Sequence, residues 1–337
     1  MTARTPTIAV LGGGTWGTTV ASIAARNTRT VLWLRDPAIV RQINENHRNP
    51  RYLPEFALCP ALRATADLAE AVDDADVLIA AVPSPFLRGV LELSADRVRP
   101  LIPVVSLVKG LEPNSRKRMT EVIGEVLPGH PAGVLSGPNI AREIAQGYAA
   151  AATLAMPHHH TAQALQPVLN TSRYRVYTSD DVIGVEVAGA LKNVFAIAVG
   201  FGDGLGAGDN TRAMVITRSL HELTRLGTAA GGRPETFAGL AGMGDLIVTC
   251  VSPHSRNRRV GYELGRGRPL AEILASTNQV AEGVRTTAAV LKLAAERGIE
   301  MPIAREVDAV LNHGQPIEQT YRGLLRVMPG HESGDTW

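Results

Sequence analysis

Residues Thr7 to Gly17 read TIAVLGGGTWG, an apolar, β-branched run that passes through glycines into a helical pattern. This is G-x-G-x-x-G at a strand-to-helix junction, where each glycine has a task. Gly12 makes the tight turn, Gly14 lets a pyrophosphate approach the backbone, and Gly17 permits close packing of the helix on the strand. The helix that opens behind Thr15 and Trp16 offers unpaired N–H groups to phosphate. A purely structural glycine turn is the competing reading, but the strand-to-helix setting favours a dinucleotide.

Outward from this loop, short β-branched runs alternate with helical patterns as far as Asp180. Strands are expected at Thr7–Leu11, Thr30–Leu34, Val77–Ala81, Val104–Leu107, Gly133–Leu135, Ala150–Ala155 and Arg173–Tyr177. Helices are expected between most of them, notably Trp16–Asn27, Pro37–Asn46, Phe86–Ser94 and Ser115–Val126. Such alternation predicts an α/β domain with a doubly wound, mostly parallel sheet. The second strand ends in Leu34-Arg35-Asp36, close to where an adenosine ribose would lie. An acidic residue there holds a 2'-hydroxyl and an arginine accepts a 2'-phosphate, so both NAD and NADP are compatible. Arg35, immediately after the strand, is expected to face the ribose and tip the preference toward NADPH.

Three further strand ends fall on the ligand-binding edge of such a sheet. Val82-Pro83-Ser84-Pro85 turns the chain, Val108-Lys109-Gly110 sets a lysine there, and Ser136-Gly137-Pro138-Asn139 precedes a helix. Lys109 is equally readable as a surface lysine, and Asn139 as a helix cap. His158-His159-His160 lacks ligand spacing and reads as a solvated helix start, so no metal site is expected.

Beyond Asp180-Asp181 the strand signals cease and helices follow one another, the last expected at Ile317–Arg326. The expected division is therefore 1–179 for the sheet domain, 180–328 for an all-helical domain and 329–337 for a frayed tail. Val182–Val199 is apolar almost all round, the pattern of a helix buried on most sides, yet it carries Lys192 and Asn193 at its centre. No carboxylate stands three or four residues from Lys192, so no ion pair along its own helix is available. A buried ammonium tends toward a lowered pKa and exchanges protons near neutrality. Alternatively its head reaches the surface or meets an acid elsewhere in the fold. Gly242-Met243-Gly244-Asp245 ends a glycine-rich bend in an acid at a helix start. Ser255-Arg256-Asn257-Arg258-Arg259 combines a capping serine, open N–H groups and guanidinium groups, a phosphate-binding combination or else a basic solvated helix. Val280-Ala281-Glu282-Gly283 precedes another helix.

Taken in order, GGGTWG, VKG, SGPN, GALKNVFAI, AGMGDL and SRNRRVG resemble the NAD(P)-dependent glycerol-3-phosphate dehydrogenases of the bacterial type, from about Thr7 to about Met328. The resemblance implies a Rossmann-type doubly wound parallel sheet followed by an all-helical domain of the 6-phosphogluconate dehydrogenase C-terminal type. It implies Lys192 as general acid/base and Lys109 as a second lysine touching cofactor and substrate. Substrate contacts fall on Gly137, Asn139, Asp245, Ser255, Arg256 and Asn257. Cofactor contacts fall on the glycine loop, Thr15, Trp16, Arg35, Ala141, Arg256, Val280 and Glu282. Where Asn139 stands, bacterial members typically have serine and eukaryotic cytosolic members asparagine.

The remaining features set bounds. The chain has 337 residues, 45% hydrophobic and 20% charged, which suits a globular protein of roughly two domains. A formal charge of +2 is too small to argue for nucleic acid and suits a small phosphorylated substrate instead. Cys59 and Cys250 are the only cysteines, without disulfide or metal spacing, which favours a reducing cytoplasm. No signal segment is seen, and no run approaches the ~20 apolar residues of a spanning helix. A homodimer is the expected assembly. Two rivals remain: a dehydrogenase of the same build acting on a 3-hydroxy acid or ketopantoate, and a dinucleotide sensor without turnover.

Overall fold

A computed structural model describes residues 6–276 and 281–320. The chain divides into two compact units, Met1–Glu186 and Val187–Trp337. The division falls within the helix Val182–Gly204.

The first unit is built on strands β1 (Ile8–Leu11), β2 (Thr30–Trp33), β3 (Arg63–Thr65), β4 (Val77–Ala80), β5 (Val104–Ser106), β6 (Ala132–Ser136), β7 (Ala150–Ala155) and β8 (Tyr174–Ser179). They form one sheet in the order β3-β2-β1-β4-β5-β6-β7-β8. All neighbours are parallel except β6 and β7. The helices are α1 (Thr15–Ala24), α2 (Pro37–Asn46), α3 (Leu68–Val72), α4 (Ser84–Glu92), α5 (Met119–Val126), α6 (Ala141–Ala145) and α7 (His159–Leu169). Alternate residues of β1 serve opposite faces of the sheet. Ile8 and Val10 join a core with Val20 and Ala24 of α1 and Leu165 of α7, whereas Ala9 and Leu11 join Leu87 of α4 and Ile123 of α5. A strand buried on both faces needs an unbroken apolar run, which is why IAVL and VLIA carry no polar residue.

Two sequence expectations shift here. β3 is a three-residue strand, too short to show a period, and its pairing with β2 supplies the order that its composition lacks. The expected helix from Ser115 begins only at Met119. Ahead of it a turn closes through Arg116 N–H to Glu112 O at 2.8 Å, with Arg116 at φ 60°. Glu186 receives the Thr120 N–H at 2.8 Å and Arg118 at 3.0 Å, holding the start of α5. Burial raises its carboxyl above the ordinary range against the pull of Arg118. The three histidines are exposed at the start of α7, with the rings of His158 and His160 stacked.

The second unit is helical throughout its described residues. α8 (Val182–Gly204) leads into α9 (Asp209–Ala229), α10 (Pro234–Ala238), a π-helical turn at Leu240–Gly244, α11 (Asp245–Val251), α12 (Arg256–Gly265), α13 (Leu270–Ala275), α14 (Glu282–Glu296) and α15 (Pro302–His313). Residues 317–320 are helical where Ile317–Arg326 was expected; the rest of that stretch and the tail lie outside the described residues. α8 corrects one expectation. At 23 residues and mean hydropathy 1.8 it is long and apolar enough to cross a membrane, and Glu186 and Lys192 conceal this by interrupting the apolar run. Its most apolar window is 89% buried inside the protein, so it is a core helix. Val194, Phe195 and Ile197 are fully buried, each contributing roughly 1.5–3 kcal/mol. Glu222 of α9 accepts the Ile303 N–H at 2.7 Å and the Ala304 N–H at 3.4 Å, capping α15 with a buried carboxyl. Burial pushes that carboxyl up to about 8, although both N–H groups lower it.

Candidate functional site

In the first unit the glycine loop joins β1 to α1 at the carboxyl edge of the sheet. Gly12 stands at φ +118°, where a Cβ would lie 2.8 Å from the Ala81 carbonyl, and a Cβ at Gly17 would lie 2.0 Å from Gly12 O. Only glycine fits either place. Gly14 differs: a Cβ there would meet nothing within 4 Å among the described residues, so the loop backbone faces space where a phosphate could approach. Gly14 caps α1 without a side-chain hydrogen bond, leaving the first N–H groups of that helix to a ligand. Behind the loop, buried Asn49 donates to Gly13 O at 3.1 Å and to Thr18 Oγ1 at 2.9 Å. Sequence reading missed Asn49 because nothing in its neighbourhood signals a residue reaching thirty-six positions back. Thr15 and Trp16 are half-buried at the helix start. The Trp16 indole Nε1 is buried with no hydrogen-bond partner among the described residues. This donor and the open loop fit a dinucleotide.

Arg35 is exposed after β2, while Asp36 turns its carboxylate to cap α2, accepting the Ala38 N–H at 2.9 Å. The two neighbours are thus separated in task. At the same sheet edge, half-buried Lys109 donates through Nζ to Gly137 O at 2.9 Å, joining the loops after β5 and β6. The chain beyond Lys109 is tied down by Arg88, whose guanidinium forks onto Glu112 at 2.8 and 3.0 Å and reaches Glu125 at 2.8 Å. That guanidinium, with Ser115, holds the Glu112 carboxyl below its ordinary value. Asn139 does not cap α6, which starts at Ala141 behind Ile140. Its Nδ2 donates instead to Ala151 O at 2.9 Å. Ala141 is buried at the first position of α6.

In the second unit Lys192 meets the acid that its own helix lacks. Its Nζ pairs with Asp245 and donates to Thr249 Oγ1 at 2.7 Å. The side chains of Lys192 and Asp245 are 7% and 1% exposed, so this is a buried pair and not a snorkelling lysine. Asp245 is the first residue of α11 and turns inward instead of capping it. The preceding π turn is an irregularity of the kind found at functional sites. Thr249 was missed in the sequence although the signal was present: it stands four residues after Asp245, on the same face of α11.

The neighbouring Asn193 builds a second junction. Asn257 donates to Asn193 Oδ1 at 2.9 Å and accepts the Gly283 N–H at 3.0 Å, while Asn193 donates to Glu282 at 3.3 Å. The starts of α12 and α14 are thereby pinned to the middle of α8. Gly200 and Gly204 of α8 face Gly261 and Gly265 of α12 so closely that a Cβ at Gly261 would lie 2.1 Å from Ile197 O. The crossing fixes where α12 begins. There Ser255 Oγ accepts the Arg258 N–H at 3.3 Å and Ser255 O accepts the Arg259 N–H at 3.0 Å. The N–H groups of Arg256 and Asn257 remain open among the described residues, beside an exposed Arg256 side chain. Arg258, by contrast, is bound to buried Asp203 at 2.6 Å. Of the remaining expected residues, Val280 lies outside the described residues.

The family description NAD-dependent glycerol-3-phosphate dehydrogenase N-terminus matches residues 7–162, and the corresponding C-terminus matches residues 181–322. A glycerol-3-phosphate dehydrogenase (NAD(P)+) of Mycobacterium avium (strain 104) is 60% identical over 330 residues, covering 98% of this chain and 97% of the relative. The solved glycerol-3-phosphate dehydrogenase of Coxiella burnetii superposes with a TM-score of 0.91 at 36% identity, covering 96% of this chain and 99% of that one. A PanE/ApbA family ketopantoate reductase from Ralstonia eutropha JMP134 shares the fold alone, at TM-score 0.57 and 16% identity over 94% of this chain and 99% of that one.

Proposed function

The chain belongs to the NAD-dependent glycerol-3-phosphate dehydrogenase family, and on that footing we propose that it reversibly reduces dihydroxyacetone phosphate to sn-glycerol 3-phosphate with NADPH or NADH. The observation that carries the reading is the buried Lys192–Asp245–Thr249 cluster in a unit whose α12 opens with free N–H groups and an exposed arginine. A proton donor and a phosphate seat are the two groups that this substrate needs from the protein.

A nicotinamide dinucleotide held at the glycine loop would supply the hydride for the reduction and would take it up in the reverse direction. The open N–H groups of Arg256 and Asn257, the Arg256 guanidinium and the positive end of the α12 dipole hold the phosphate. The Asn257 side chain is held by Asn193 and Gly283, which leaves its second Nδ2 hydrogen to join its backbone N–H at the phosphate. Lys192 Nζ donates the proton as negative charge grows on the carbonyl oxygen, and removes it in the opposite direction. Asp245 and Thr249 fix the direction of the ammonium, and Asp245 offsets its charge between turnovers. Lys109, Gly137 and Asn139 are assigned to the substrate. The loop at Gly12, Gly14 and Gly17, with Thr15, Trp16, Arg35, Lys109, Ala141, Arg256, Val280 and Glu282, is assigned to the dinucleotide. The product supplies the backbone of glycerophospholipids. A cytoplasmic homodimer completes the proposal: the free thiols Cys59 and Cys250 suit a reducing compartment, and light scattering reads the assembly.

The test follows the near-ultraviolet absorbance of NADPH with dihydroxyacetone phosphate, with ketopantoate and with no substrate. Oxidation with the phosphorylated ketone alone is expected. Turnover of ketopantoate in its place, or of neither, would overturn the proposal.

A further inference from the structure

Asn139 is gripped at both ends of its amide. Nδ2 donates to Ala151 O at 2.9 Å, and Oδ1 accepts from the Tyr174 hydroxyl at 3.3 Å. A carbonyl only accepts, so Nδ2 must face Ala151, and the phenol is left to donate to Oδ1. The orientation of the amide is therefore determined by its partners. Ala151 lies on β7, paired with β6 on one side and β8 on the other. Tyr174 at the start of β8 thus reaches across a whole strand to hold the loop that follows β6. Its own ring is fixed, 2% exposed and set edge-on to Trp16 at 6.3 Å between centroids.

We infer that Tyr174 is a positioning residue for the substrate, acting through Asn139; this rests on the proposed contact of Asn139 with dihydroxyacetone phosphate. With both ends held, the second Nδ2 hydrogen of Asn139 points in one direction. Without the hydroxyl, Ala151 alone among the described residues restrains the amide, and orientations that do not face the substrate compete with the one that does. A site that is competent for only part of the time binds more weakly by that fraction. Substrate KM then rises, whereas kcat, set by Lys192, is little changed. The dependence is specific to asparagine: a serine hydroxyl at 139 stops short of Tyr174 and has no amide to orient.

The experiment compares wild type, Tyr174→Phe, Asn139→Ala, Asn139→Ser and the two double variants, reading KM for dihydroxyacetone phosphate, KM for NADPH, kcat and Tm. Phenylalanine retains the ring and its contact with Trp16, so packing is preserved. Tyr174→Phe is expected to raise the substrate KM about two- to tenfold, the range of one lost hydrogen bond, with the NADPH KM and kcat near wild type. In the Asn139→Ala and Asn139→Ser backgrounds the same change should add nothing to KM. A KM increase of equal factor in those backgrounds, or a Tm loss with kcat and both KM values altered alike, would show a structural role and overturn the inference. An unaltered KM in Tyr174→Phe beside a raised one in Asn139→Ala would do the same. An unaltered KM in Asn139→Ala would refute the Asn139 contact itself, and the positioning role with it.

Discussion

Replacing Lys192 by methionine removes the proposed proton donor and also leaves the Asp245 carboxylate buried without its ammonium. The second effect has a size. Both side chains are almost wholly buried, and removing one partner of such a pair costs about 3–5 kcal/mol, because the survivor keeps its desolvation penalty and loses its compensation. At about 2–4 °C per kcal/mol for a unit of this size, Tm should fall by roughly 6–20 °C. Changing Asp245 to asparagine as well removes both charges from nearly the same volume, so the double variant should recover most of the lost stability. Activity should not recover, since loss of general acid/base help lowers the rate by about 10² to 10⁴. Thermal melting by circular dichroism, with NADPH oxidation on the same samples, separates the two effects. Near-normal kcat in Lys192→Met would refute the catalytic role. Equal Tm in the single and double variants would refute the claim that the pair is held by charge compensation.

Arg256→Ala should raise KM for dihydroxyacetone phosphate about ten- to a hundredfold, the worth of a charge-assisted contact, and narrow the difference from unphosphorylated dihydroxyacetone. Equal weakening of both substrates in steady-state assays would show that Arg256 does not address the phosphate. Arg35→Ala should shrink or reverse a preference for NADPH over NADH, because Asp36 is occupied in capping α2; the ratio of kcat/KM values decides it. For Glu222, burial raises the folded-state pKa from 4.5 to about 8, so the folded chain keeps a proton that the unfolded chain releases. The contribution is fully present below the lower value and declines as pH rises through the window, by up to about 1.4 kcal/mol per pH unit. Glu222→Gln should flatten that part of the Tm against pH profile; an unchanged slope would assign it to another group.

The local and periodic features were legible in the sequence. The fully buried strands of the sheet announce themselves as β-branched runs, since a strand covered on both faces admits no polar residue, and the glycine loop shows itself by its spacing at a strand-to-helix junction, although the contact that excludes a side chain at Gly12 comes from Ala81. Ser255 as a cap, the exposed start of α7 and the helical character of the second unit are likewise decided by neighbours along the chain. Whatever depends on distant residues was not legible. The antiparallel turn of β7 against β6 and the short strand β3 follow from pairing partners, not from composition. Lys192 shows the limit most clearly: its helix says that it is buried, yet only the fold brings Asp245 and Thr249 to it from more than fifty residues away. The same holds for Asn139, which by sequence could cap a helix and in the fold is held by Tyr174 and Ala151, and for Asn257, whose side chain is committed to Asn193 and Gly283. Periodicity reports which face of an element is buried; which polar group satisfies another inside that burial is set by long-range packing, where a separation along the chain carries no signal.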